Sequence, residues 1–145
     1  MRRFLFRLIG ILEIAGGLYG VVQMLRRLLP LGSAHDGVVA LIGLVLYALV
    51  LVAGVLLLEG SEAGVRLSRW AQLAQLPLIA TPVFSYGLHA GGFLNLYITL
   101  QATPRLGLDG SFATHGFMLA VAGPALSRLG VNLLALMSWL VLRLR

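Results

Sequence analysis

Glu13 is the residue most at odds with its neighbours: a carboxylate inside the apolar stretch Ile11-Leu12-Glu13-Ile14-Ala15. A carboxylate in hydrocarbon is costly, so it faces other protein or a water-filled cavity. Two chemistries suit it there. It can take up and release a proton or cation on a transport path, or it can serve as a hydrogen-bonded packing group. Gln72 and Gln75 are amides near the start of a later apolar run, and Ser138 is a hydroxyl in the last one. At a 1.5 Å rise per residue, Glu13 lies about 8 Å inside its run. Gln72, Gln75 and Ser138 enter from the same side, so the four are expected to share one polar layer. Burying them singly would leave costly unpaired groups. Gln75, Pro82, Ser85 and His89 fall along one stripe at helical spacing, with Thr81 beside it, and this stripe could line a cavity. Gly10, Gly17, Gly20 and Met24 fall on one seam with Glu13, and Gly16 and Gly20 form a GxxxG pair. Small residues at that spacing let a second helix approach closely.

Other chemistries lack their residues. There is no cysteine, hence no disulfide, thiolate nucleophile or cysteine metal site. His35, His89 and His115 are far apart and do not have metal-ligand spacing. The phosphate loop, the dinucleotide glycine pattern, the HExxH motif and the nucleophile elbow are all missing. No metal, no cofactor and no enzymatic activity are expected.

The elements that must position these groups read as membrane spans. Of 145 residues, 59% are apolar and 11% charged, and the mean hydropathy is +0.96. Soluble domains carry about 25% charge. A span needs about 20 apolar residues, and four stretches come close: 8–25, 37–58, 70–88 and 124–142. The expected fold is therefore an all-α membrane protein: a single integral membrane domain over residues 1–145, with four transmembrane helices. Pro77 and Pro82 would kink the third. Glu13 inside the first run argues against a cleaved signal peptide, so a retained first helix is expected. Ser33 or Asp36 could cap the second helix, and Ser61 the segment leading to the third.

The connection between the third and fourth spans has a different pattern. Leu94, Leu96, Ile98, Leu100 and Ala102 alternate with Asn95, Tyr97, Thr99, Gln101 and Thr103, which reads as a half-buried strand. Leu94, Ile98 and Gln101 also fit a helical period. Asp109-Gly110 is a turn signal, so a short β-hairpin-like extracytoplasmic connection over about 93–120 is expected, with a second strand near 111–120.

All eleven basic residues are arginine, against five acids, for a net charge of +6. They sit at the ends of apolar runs, where arginine sets topology and meets lipid headgroups. No nucleic acid is expected as a partner. With the N-terminus inside, seven arginines fall on the inner side and four on the outer. That places both termini in the cytoplasm, in a bacterial inner membrane. The layout, with one carboxylate in the first span at Leu12-Glu13-Ile14, resembles that of the small multidrug resistance transporters, where such a Glu is essential. The likeness covers only those residues. The long connection and the third span depart from that family's compact loops and aromatic-rich third span.

Two functions fit this reading. One is a non-enzymatic accessory or assembly subunit that works through glycine-seam packing and an outer hairpin. Its partners are the lipid bilayer and a second copy (a homo-oligomer) or another membrane protein. The alternative is a small proton- or cation-coupled transporter or channel using Glu13.

Overall fold

The computed structural model describes residues 1–29, 34–80, 85–90, 93–100, 104–111, 116–120 and 127–144. Two long helices open the chain: α1 (Arg2–Leu28) and α2 (Ala34–Leu58). They run antiparallel, and the glycines of α1 set their spacing. A Cβ on Gly17 would come within 2.7 Å of the Leu51 backbone nitrogen, and one on Gly20 would overlap the Tyr47 ring. Gly54 answers from α2, where a Cβ would lie 2.8 Å from the Glu13 Cβ. Gly10 and Gly16 are buried too. The small residues thus bring the two backbones into near contact.

Gly60, at φ 75°, ends the hairpin in the left-handed conformation that glycine adopts without steric cost. Ser61 then starts α3 (Glu62–Gln75), its Oγ accepting from the Gly64 N–H at 3.0 Å. Leu76 and Pro77 stop this helix. The proline ring has no N–H to donate and would clash with a carbonyl one turn back. The chain then enters a sheet of six antiparallel strands: β1 (Pro77–Ala80), β2 (Ser85–His89), β3 (Phe93–Leu100), β4 (Arg105–Ser111), β5 (Gly116–Ala120) and β6 (Ser127–Asn132), in the order β4-β3-β6-β1-β2-β5. A short helix, α4 (Leu133–Arg143), ends the described chain. Asn132 caps it, its Oδ1 accepting from the Leu134 and Ala135 amides.

This architecture corrects the all-α expectation. The fold is mixed α/β, and among the described residues only α1 and residues 37–58 of α2 are long and apolar enough to cross a membrane. The stretch 70–88 is the end of α3 followed by β1 and β2, not a third span. Pro77 opens a strand, a position where a missing N–H is tolerated, and does not kink a helix. The described part of the stretch 124–142 divides at Asn132 into β6 and an 11-residue helix too short to span. Hydropathy alone misleads here, because short buried strands are as apolar as spans. The outer hairpin is redrawn too. β3 pairs with β4, and Asp109-Gly110 lies within β4 opposite Asn95 and Leu94 instead of turning the chain. β5 pairs with β2, and β6 is inserted between β3 and β1.

Two apolar clusters hold the layers together. Met24, Tyr47, Val50 and Ala53 of the hairpin pack with Ala71 of α3 and Leu88 and Ala90 at β2. Ile9, Leu57, Val65 and Leu142 join all four helices near the start of α1. The two described ends of the chain therefore lie at the same end of the hairpin.

Candidate functional site

Glu13 is 1% exposed and sits where α1, α2 and α3 meet. Its Oε2 accepts from the Ser68 hydroxyl at 2.7 Å and its Oε1 from the Gln72 amide at 2.8 Å. Ser68 and Gln72 are four apart, so α3 presents both on one face. The Ser68 hydroxyl also lies 3.3 Å from the Ala53 carbonyl of α2. One side chain of α1, two of α3 and a backbone carbonyl of α2 thus form a closed polar knot. Both carboxylate oxygens are engaged, which offsets much of the cost of burying the group.

The other expected members of this layer are nearby but separate. Gln75 turns away from Glu13: its Nε2 donates to the Ala71 carbonyl, and its Oε1 accepts from the Ala90 N–H at 3.2 Å, tying α3 to the end of β2. Ser138 lines a cavity of about 10 Å³ shared with Glu13, Gln72 and Gln75. That volume holds about one water molecule. Ser68 was not anticipated from the sequence. It falls in the segment that leads to the expected third span and not in the span itself, which hid it, although its spacing from Gln72 was the available signal.

The expected stripe of Thr81, Ser85 and His89 is not a helical face. Thr81 lies outside the described residues, and Ser85 and His89 belong to β2. The Ser85 side chain is buried and its Oγ has no hydrogen-bond partner among the described residues. Asn95 Nδ2 lies 3.1 Å from His89 Nε2, and donates to it when the imidazole carries its proton on Nδ1. The His89 carbonyl accepts from the Tyr47 hydroxyl at 2.9 Å. Tyr86 donates its hydroxyl proton to the Ala74 carbonyl, and burial pushes its phenol above the usual value. These contacts join the sheet to the helices instead of lining a channel. Among the described residues, no group of three His, Asp or Glu side chains could hold a metal ion.

A second feature lies on the sheet. On β3 the usual burial pattern is inverted. Asn95 and Thr99 are 4% and 6% exposed, whereas Leu94, Leu96, Ile98 and Leu100 are each more than a third exposed. The register carries this face across three strands, because directly paired residues share a side. Leu96 pairs with Leu108 and Val131, and Ile98 with Leu106 and Leu129, all of them exposed. Arg105, Asp109 and Arg128 pair with Thr99, Asn95 and Thr99, so the charges fall on the opposite face. There Arg128 stacks over the Tyr97 ring at 5.4 Å. Tyr97 lies across Gly107 and Gly130, where a Cβ would meet it.

No protein-family model, curated protein or solved structure matches the chain. The resemblance in layout to small multidrug resistance transporters also loses its basis, since it required four spans.

Proposed function

We propose that this chain is a non-enzymatic assembly protein, anchored in a membrane by the α1–α2 hairpin and self-associating through the apolar face of its sheet. The observation that carries the proposal is the uncharged surface of Leu94, Leu96, Ile98, Leu100, Leu106, Leu108, Leu129 and Val131, exposed on three adjacent strands. A contiguous apolar face of this kind marks an interaction surface. Lipid is a poor cover for it, because β4 is an open edge and its outward amides would go unpaired in hydrocarbon. A second copy suits it better. An uncharged face can meet itself about a two-fold axis without like-charge repulsion, even though the chain carries +6 overall.

The anchor rests on the outer faces of α1 and α2. Only 39% and 33% of their most apolar windows are covered by the rest of the protein, whereas a soluble core helix is mostly buried. Phe4, Ile11, Leu18 and Val22 on α1 and Val38, Leu41, Val45 and Val52 on α2 point outward. Arg2, Arg3, Arg7, Arg66, Arg69 and Arg143 gather toward one end. By the positive-inside tendency that end, with both described chain ends, faces the cytoplasm across the inner membrane. The closed knot around Glu13, with room for about one water, supports a packing role over a transport path.

Native mass spectrometry of the detergent-extracted full chain tests this reading. The expected result is a dimer that Leu96→Glu converts to a monomer with its helical content intact. A strictly monomeric wild-type protein would overturn it.

A further inference from the structure

We infer that the groove between α3 and the end of α4 is a binding site for a phosphate-bearing anionic headgroup. Glu62, Val65, Arg66 and Arg69 lie on one stripe of α3, and Leu142 and Arg143 complete the groove, whose volume is about 230 Å³. Three arginines and one glutamate thus line one concavity. Val65 and Leu142 are buried and form an apolar floor, and a low-dielectric wall strengthens the field of the surrounding charges. Arginine forks bind phosphate oxygens in pairs. Three arginines, two from α3 and one from α4, offer more donors than a flat carboxylate needs, since one fork satisfies it, and suit the three oxygens of a phosphate better.

Position supplies the second argument. The floor belongs to the cluster of Ile9, Leu57, Val65 and Leu142, with Phe6 packed against it, at the start of the α1–α2 hairpin. Arg2, Arg3 and Arg7 lie on the first turns of the same helix. Trp70, beside Arg69 in the chain, is exposed, and the Arg143 guanidinium stacks 4.9 Å over the Trp139 ring. Arginines together with exposed or half-buried tryptophans at the end of an apolar hairpin are what a headgroup layer meets. The source of the phosphate as lipid rests on the membrane reading; the anion site itself does not.

Trp139 provides the reporter. In a Trp70→Phe background, the full chain is reconstituted in phosphatidylcholine vesicles and phosphatidylglycerol is added in steps. A parallel arm titrates inorganic phosphate into the same vesicles, and flotation checks that the chain is membrane-bound. A saturable change in Trp139 emission is expected with phosphatidylglycerol. Arg66→Gln and Arg69→Gln should each weaken it about five-fold, the effect of one arginine near an anionic surface. Glu62→Gln should tighten binding, a gain that misfolding cannot mimic. Saturation by inorganic phosphate alone, with the same variant pattern, would support the site but assign it to a soluble phosphate. If the chain fails to float, the membrane reading falls and the phosphate arm alone decides the site. No saturable response to either ligand, or a response indifferent to all three variants, would overturn the inference.

Discussion

Substituting Glu13 separates a packing role from a coupling role. In Glu13→Gln the amide oxygen can still accept from the Gln72 amide, now at 2.8 Å from Oε1. The new NH₂ would face Ser68, whose hydroxyl can rotate its proton to the Ala53 carbonyl, already 3.3 Å away. It then accepts where it formerly donated, and every buried group keeps a partner. The expected loss is below about 1 kcal/mol, the net value of a typical hydrogen bond. Glu13→Leu fills similar space but leaves the Gln72 amide without its acceptor. Ser68 again falls back on Ala53, so one orphaned donor remains, at a cost of about 1–3 kcal/mol. Glu13→Ala adds a void to the same orphan and should be the least stable of the three. A double-mutant cycle of Glu13→Leu with Gln72→Leu should return a coupling of about 0.5–3 kcal/mol. Unfolding in mixed micelles by graded addition of sodium dodecyl sulfate, followed by tryptophan emission, measures all four. The reasoning is refuted if Glu13→Gln is as damaging as Glu13→Leu, because the negative charge itself would then be what the fold requires.

Three further outcomes follow from the packing. Gly17→Ala places a Cβ 2.8 Å from the Leu51 Cα and should destabilise the hairpin by about 1–3 kcal/mol. Gly37→Ala, with nothing within 4 Å of the new Cβ, should be neutral or stabilising by up to about 1 kcal/mol from helix propensity; equal effects at the two sites in the same unfolding assay would contradict the close approach of α1 and α2. Asn132→Ala removes the cap of α4 and the acceptor of the Leu94 amide. It should lower stability by about 1 kcal/mol or more, and faster amide exchange at Leu134 and Ala135 would locate the loss.

What the sequence made legible was chemistry that is local or conspicuous. Glu13 stands out because a carboxylate among apolar residues must find partners, and Gln72 was one of few polar groups at a matching depth. Ser61 announced the start of α3 through ordinary capping chemistry. The alternation from Leu94 to Leu100 marks β3, although which face lies inward was not legible. Hydrophobic alternation ordinarily buries the leucines, and here the asparagine and threonine side is buried instead. The third and fourth spans were misread because a hydropathy window sums apolar residues without asking which partners they meet. Residues 77–80, 85–89 and 127–132 become strands through pairing with segments far away along the chain, Pro77 with Val131, Ser85 with Ala120 and Leu100 with Ser127. The placement of β6 between β1 and β3 is set by such pairing, and no residue within β6 signals it. Ser68 was hidden for a related reason: its partner lies 55 positions away.

The absence of cysteine from the chain permits the most direct test of the central claim, that lipid surrounds the α1–α2 hairpin. Single-cysteine variants Leu18→Cys and Val45→Cys, both at outward positions near the middle of their helices, are treated with a water-soluble maleimide in open membrane fragments, with exposed Glu59→Cys as the control. The account predicts rapid labelling at position 59, protection at positions 18 and 45, and no loss of that protection in salt washes that strip peripheral proteins. Labelling at positions 18 and 45 at the rate of the control would show water against both helices and contradict it.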